Sequence, residues 1–276
     1  MKNTSSIIKQ SAQFSFSTIA GISTITGLWG YTIKDISPNH QWWEYGIALL
    51  AIALILTLIS FLIIYLFKQY RKHKPYKTTI NGKPIQIKIG DIFNESGWKV
   101  IPFNERFDTI VDDIIISHHS LNGIMIDNHV EDIDDLRSKI NLADTDSSPF
   151  KSTTIDGNRV YPLGRIIPYK EFLLLSFSHF DNQNRANIEF GEYEQFLFRM
   201  WSELRRVYAS SQIAIPLVGG GITTIHGLTE KNLTELLKCI LCTLRNSKFQ
   251  PTNGIAVVLT QDVMNQIDMN LIREDF

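Results

Sequence analysis

Four short stretches of this chain gather polar side chains and glycines at the ends of aliphatic runs. Gly219-Gly220-Gly221-Ile222-Thr223 follows "QIAIPLV". Glycines at such a point let the backbone approach a bound group closely, and successive N–H groups can cradle an anion such as a pyrophosphate. A tight turn uses three glycines at least as readily, and the spacing fits neither a P-loop nor the dinucleotide-binding fingerprint. Gly90-Asp91-Ile92 follows "IQIKI". Its carboxylate could accept from an exocyclic ring amine while adjacent N–H groups reach ring nitrogens, or it could cap a turn. After "KVIPF" come Asn104, Glu105 and Asp108, polar groups that a buried strand end holds only when they are hydrogen-bonded or face a cavity. The fourth stretch, "SHHSLNG", is read as a loop and contributes Ser120, Leu121, Asn122 and Gly123 after His118 and His119. Asp108 or His119 could serve as a general base, although exposed histidines of this kind more often hydrogen-bond or face water.

These stretches need strands to carry them, and the chain from about Pro75 onward supplies an alternation of strands and helices. "KTTINGKPIQIKIGDIF" alternates around Asn81-Gly82, a strong two-residue hairpin signal. "WKVIPF", "EFLLLSFSHF", "QIAIPLVG" and "GIAVVLT" read as buried strands. Apolar positions Tyr193, Phe196, Met200, Leu204 and Val207 recur at helical spacing, as do Leu233, Leu237, Ile240 and Leu244 behind a Thr229 cap. A helix is also expected shortly after the glycine run. The acidic stretch "VEDIDDLRSK", Val130 to Lys139, reads as a solvated helix face. The fold class is therefore α/β, a three-layer sandwich with a mixed central sheet, in which ligands bind at the carboxyl ends of strands. Cys239 and Cys242 lie in an apolar helical pattern without the second pair that zinc needs. They read as reduced core thiols, and neither a metal nor a resident cofactor is expected.

The 276 residues give room for one sizeable domain and an appendage, and the net charge of -1 argues against a dedicated nucleic-acid binder. Tyr45 to Phe67 contains no charged residue and as a helix would span about 35 Å, enough for a hydrocarbon core of about 30 Å. A second uncharged run, Gln10 to Ile33, is rich in serine, threonine and glycine. Its stripe Ser17, Gly21, Thr24 and Leu28 suits close packing on the other span or a neighbouring copy, or could line a water-filled path. Lys2 and Lys9 precede the first run and Lys68, Arg71, Lys72, Lys74 and Lys77 follow the second, against Lys34 alone between them. The positive-inside rule then puts both ends in the cytoplasm, with Trp29, Tyr31, Trp42 and Trp43 at the outer boundary. The polar first run argues against a cleaved signal peptide. The expected organisation is a two-helix transmembrane hairpin (spans 11–33 and 45–67) with a basic linker over 1–76, and a cytosolic domain over 77–276.

Ile89-Gly90-Asp91-Ile92, a strand leading to Asn104, and the late "IPLVGGG" loop together resemble the macro domain, an ADP-ribose-binding fold. "GDIF", "GWKVIPFNERFDT", "SLNG", "YPLGR" and "FSHFDNQN", in that order behind a two-span hairpin, resemble the membrane-anchored macro-domain effectors of Thoeris anti-phage systems. The resemblance implies that Asp91 holds the adenine amine and Ile92 gives a backbone contact. Asn104 would face the distal ribose, Gly219, Gly220, Gly221 and Ile222, with Thr223, would wrap the diphosphate, and Ser120 to Gly123 would close over the far end. Where hydrolytic macro domains carry their catalytic asparagine, this chain has Glu105-Arg106-Phe107-Asp108, which implies binding without turnover. By the same resemblance, a TIR-domain partner makes the signal, an ADP-ribose derivative conjugated to histidine; from their charge alone, Glu105 and Asp108 would suit the positive end of such an adduct. Binding would then drive self-association and membrane disruption at the cell inner membrane. The alternatives are a membrane-tethered ADP-ribosyl hydrolase and a scaffold with a degenerate pocket.

Overall fold

The structure is a computed structural model and describes residues 2–28, 41–181, 183–228 and 230–276. It divides into two compact units, Met1–Lys72 and His73–Phe276, so the boundary falls earlier than the expected 76/77. The cause is local. His73 Nδ1 lies 3.2 and 3.1 Å from the carbonyl oxygens of Met264 and Ile267, and Arg273 donates to the carbonyls of Lys74 and Pro75 at 2.8 and 3.2 Å.

The first unit is a pair of packed helices, α1 (Lys2–Leu28) and α2 (Trp42–Arg71). The hydroxyls of Ser11, Ser15, Thr18 and Thr24 donate to carbonyls four residues back at 2.8–2.9 Å, so these four are satisfied within their own helix. Among its described side chains Ile7, Ser11 and Ser15 are buried, spaced to share one face, with the two serines small enough for close approach. The expected packing stripe differs: Ser17, Gly21 and Thr24 are exposed, and the Leu28 side chain lies outside the described residues. In α2, Leu50–Arg71 is long and apolar enough to cross a membrane, and among the described residues it is one such helix where two were expected. Trp29, Tyr31 and Lys34 and the side chains of Trp42 and Trp43 lie outside the described residues.

The second unit opens with the expected hairpin, β1 (Tyr76–Ile80) and β2 (Lys83–Ile89). Asn81 and Gly82 take φ of 52° and 72°, the left-handed pair that matches strand twist in a two-residue turn. Next come β3 (Trp98–Asn104), α3 (Leu121–His129), α4 (Ile133–Asn141) and a separate hairpin of β4 (Thr153–Ile155) and β5 (Asn158–Val160). They are followed by β6 (Ile166–Tyr169), β7 (Phe172–Phe180), β8 (Ala186–Glu189), α5 (Phe190–Val207), β9 (Ile213–Pro216) and β10 (Thr224–His226). The chain ends with α6 (Leu233–Asn246), β11 (Ile255–Leu259), α7 (Gln261–Gln266) and α8 (Met269–Asp275). The nine-stranded sheet runs β1-β2-β11-β9-β3-β7-β8-β10, with β6 also paired to β7. Its centre, from β2 to β7, is parallel, while β1, β6 and β8 pair antiparallel.

Alternation along the central strands makes the three layers. Val100, Leu173, Ile215 and Val257 pack with Tyr193, Phe196, Met200, Leu237 and Ile240 of α5 and α6. Their chain neighbours Ile101, Leu174, Ala214 and Ala256 face the other way onto Met125, Leu136 and Ile140 of α3 and α4. Both faces are covered, which is why these strands read as continuous apolar runs.

Three local expectations change. Half of "SHHSLNG" is the first turn of α3, capped by Ser120, whose side chain accepts from Gly123 N–H. The glycine run leads into the short strand β10, parallel to β8, before any helix. The cap of α6 is Asn232, which accepts from Thr234 and Glu235 N–H at 3.0 and 3.3 Å, and Thr229 lies outside the described residues. The Cys239 thiol is pushed up to about 11 by burial, as suits an unreactive core position.

A buried ionic cluster ties the 143–166 segment to α5. Arg165 is 0% and Glu203 1% exposed, and they meet at 2.6 Å. Arg165 also donates to Asp146 at 2.8 Å and to the Ala143 and Ile166 carbonyls at 2.7 Å. Arg206 reaches Glu203 at 2.9 Å and Asp146 at 3.1 Å. Burial opposes ionisation of Glu203, but hydrogen bonds from Arg206 and Arg165 outweigh it and hold the carboxyl below its ordinary range. Breaking one partner of such a buried pair costs about 3–5 kcal/mol. Glu203→Ala should therefore lose about that much stability at neutral pH. Because the folded value is depressed, the wild-type contribution is present above the ordinary carboxyl range and fades as pH falls through the folded value. Urea unfolding across pH checks this: the gap between variant and wild type should narrow in acid, and an unchanged neutral midpoint would contradict it.

Candidate functional site

The carboxyl ends of β3, β7 and β9 open into a cleft of about 330 Å³. That is where a parallel sheet leaves room for a ligand. Its walls are largely apolar: Phe177 and Phe180 from β7, Leu217 and Val218 after β9, and Ile116 and Leu121 across from them. Pairing of β3 with β7 shifts between Phe103 and Asn104, from Phe103↔Ser176 to Asn104↔Ser178. Phe177 is the extra residue of this irregularity, and such bulges re-aim side chains beside sites.

One rim is the glycine loop. Gly219 has φ +84°, which favours glycine, and a Cβ there would press to 3.2 Å on Ile225 Cδ1. Gly220 N–H donates to the Leu217 carbonyl at 2.8 Å, which spends that group on the turn and removes it from any anion cradle. Gly221, Ile222 and Thr223 line the cleft. Among the described residues none accepts from their N–H groups. These three donors, on a loop whose Ile222 is 87% exposed, are what an anion would find.

The opposite rim comes from the turn after β3. Asn104 lines the cleft but is only 2% exposed. Its Oδ1 accepts from the N–H groups of Arg106 and Asp108 at 3.1 Å each, and its Nδ2 donates to Asp108 Oδ2 at 2.8 Å. The turn forces Phe107 to φ 53°, a strained position for a bulky residue. Contacts with Phe103 and Tyr161, at centroid distances of 5.9 and 5.3 Å, hold it there.

Glu105 points elsewhere. It is 8% exposed, and its carboxylate bonds His179 Nδ1 while His179 Nε2 meets Glu192 at 2.9 Å. The bond to Glu105, reinforced by Glu192 against the cost of burial, raises His179 to about 9. An imidazolium between two carboxylates thus fastens β7, the β3 turn and the start of α5 together at neutral pH.

Asp91 and Ile92 lie at the end of β2, outside the cleft lining. Asp91 Oδ1 accepts from Phe93 N–H at 3.0 Å and so caps the 3-10 turn Ile92–Asn94. The second carboxylate oxygen has only a 3.4 Å contact with Asn94. Ile92 is buried, and no described residue accepts from its N–H.

The structure thus brings Asn104, Ser120, Leu121, Asn122, Gly219, Gly221, Ile222 and Thr223 to one cleft. Gly220, Glu105, Asp108 and Gly123 are not part of its lining. Gly123 serves packing, since a Cβ there would lie 2.1 Å from the Ser117 carbonyl oxygen. Glu105 is buried against His179, and half-buried Asp108 gives one carboxylate oxygen to the Asn104 amide. His119 lines the cleft, whereas His118 pairs with Asp127 at 2.6 Å. Sequence reasoning missed His179 and Glu192, whose roles depend on a partner 74 residues away. It also missed the aromatic wall, for which the only signal was the run "LSFSHF" itself.

Glu105→Gln should return His179 toward its ordinary value of 6.5, read by imidazole NMR titration. The raised value also means that the stabilisation from this cluster is complete below about 6.5 and lost as pH rises through about 9. Gly219→Ala should cost about 1–2 kcal/mol through its left-handed backbone. Gly221, with nothing within 4 Å of its would-be Cβ, should accept alanine with little change in the unfolding midpoint.

A family model described as Thoeris protein ThsA, Macro domain, matches residues 85–260. The Thoeris protein ThsA of Bacillus amyloliquefaciens (strain Y2) is 34% identical over 209 residues, covering 71% of this chain and 68% of that protein. Among solved structures, the Oceanobacillus iheyensis macrodomain with ADP aligns at TM-score 0.46 and 14% identity, over 73% of this chain and 98% of that one. A mutant of the same macrodomain aligns at TM-score 0.45 and 16% identity, over 73% and 99%. By the family model and the curated relative, this chain belongs to the Thoeris ThsA macro-domain family.

Proposed function

We propose that the His73–Phe276 unit is the nucleotide sensor of an anti-phage effector, taking an ADP-ribose-derived signal into the cleft and leaving it intact. The observation that carries this reading is the set of unclaimed N–H groups at Gly221, Ile222 and Thr223, on the rim of an apolar cleft. They suit a diphosphate. The apolar walls suit a ribose and the group attached to it. The unused Ile92 N–H and the second oxygen of Asp91 suit an adenine edge. Family membership supports the same assignment.

Binding without turnover is supported by the chemistry at the β3 turn. The Asn104 carboxamide oxygen is committed to two backbone donors and one oxygen of Asp108 to the Asn104 amide, which occupies the Asn104 acceptor that could orient a water. His119 is the titratable side chain on the cleft wall, and a hydrolase reading would rest on it.

The finer parts of the proposal concern the signal and the response. The signal is an ADP-ribose derivative, conjugated to histidine, made by a TIR-domain partner. Leu50–Arg71 anchors the chain in the inner membrane, with α1 as a second span and both termini cytoplasmic. Ligand binding favours a self-associated state whose membrane segments disrupt the bilayer. For this the ligand must bind that state more tightly than the resting one, because equal affinity shifts nothing.

Calorimetric titration with ADP-ribose, followed by analysis of the recovered nucleotide, tests the reading. One saturable site and unchanged nucleotide are expected. Asp91→Asn keeps an oxygen for the Phe93 N–H but replaces an acceptor with a donor, and should weaken binding about tenfold, or about 1.4 kcal/mol. No heat of binding, or release of a cleaved product, would sink the proposal.

A further inference from the structure

The Lys231 ammonium sits behind the glycine loop and bonds the carbonyl oxygens of Gly221 and Thr223, the latter at 2.9 Å. It is not part of the cleft lining, whereas Gly221, Ile222 and Thr223 are. A trans peptide holds its C=O and N–H on opposite sides. Fastening the Gly221 carbonyl to Lys231 therefore turns the Ile222 N–H away from the lysine. That N–H is one of the three that no described residue accepts from.

Lys231 is exposed, and its ammonium is held by those two carbonyl oxygens. Among the described residues no carboxylate pairs with it. It directly precedes Asn232, the cap of the fourteen-residue helix α6, where the helix field disfavours a cation. It nonetheless holds two carbonyls of a single loop. An anion in front of the loop would add a counter-charge that no described carboxylate provides.

We propose that Lys231 is a positioning residue for anion recognition, presetting the Gly221–Thr223 loop and lending it positive potential, so that the cleft selects ligands carrying a diphosphate. This rests on the proposed nucleotide site and deepens it. Lysine acts on the ligand through the loop, with no direct contact. Its two carbonyl bonds account for the geometry, and its single charge for the selectivity.

The test compares wild type, Lys231→Met and Lys231→Arg in the full-length chain, titrated with ADP-ribose and with adenosine, which lacks the diphosphate. Lys231→Met should bind ADP-ribose at least tenfold more weakly and adenosine with unchanged affinity, while Lys231→Arg recovers most of the ADP-ribose affinity. Unfolding midpoints of the three proteins identify any variant that fails to fold. Equal loss for both ligands would reduce Lys231 to a structural role, and no loss for ADP-ribose would remove it from recognition; either overturns the inference alone. A wild type that binds neither ligand would instead overturn the nucleotide site, and this inference with it.

Discussion

At the end of β3 the backbone must turn out of a buried parallel sheet, and the N–H groups of Arg106 and Asp108 need acceptors there. The Asn104 carboxamide oxygen provides both at 3.1 Å. Leaving either donor unmet in so dry a place would cost about 1–3 kcal/mol. Much of the site follows from this one satisfaction. It fixes Asn104 on the cleft wall, swings Glu105 out toward His179, and confines Asp108 to the Asn104 amide. The strain it creates at Phe107 is absorbed by aromatic packing against Phe103 and Tyr161.

With the carboxylates of that turn engaged, the cleft offers an apolar interior and backbone donors at its rim. Such a surface favours a ligand whose negative charge sits on a diphosphate and whose remainder is ring and sugar. Near Asn104, Glu105 is bonded to His179 and one oxygen of Asp108 to the Asn104 amide. The same economy appears in the core, where Arg165, Glu203, Asp146 and Arg206 neutralise one another. That cluster ties the 143–166 segment to α5, and α5 in turn carries Tyr193, whose hydroxyl donates to the Val218 carbonyl at the root of the glycine loop, at 2.7 Å.

The sheet and its helices were legible because their signals are local. Asn81-Gly82 dictates its own turn, and the alternation of Val100 with Ile101 or Ala214 with Ile215 follows from burial on both faces. The glycine loop and Asn104 were legible as candidates, since polar groups and glycines at strand ends are unusual. Their detailed roles were not. Whether Gly220 spends its N–H on Leu217, and whether Glu105 faces the cleft or His179, depends on partners that no spacing rule connects. The start of α6 was misjudged because two nearby residue types can cap a helix, and tertiary packing selected Asn232. In the first unit, the helical run was clear from composition, but the packed face was not. Ser11, Ser15, Thr18 and Thr24 all bond back to their own helix, so only the partner helix decides which are buried.

The most direct test of the account is an experimental structure with ADP-ribose bound. The account predicts diphosphate oxygens within about 3 Å of the Ile222 and Thr223 nitrogens, the adenine amine at Asp91, and Asn104 still holding the Arg106 and Asp108 N–H groups. A nucleotide bound elsewhere, or an Asn104 side chain released from its turn to engage the ligand, would contradict it.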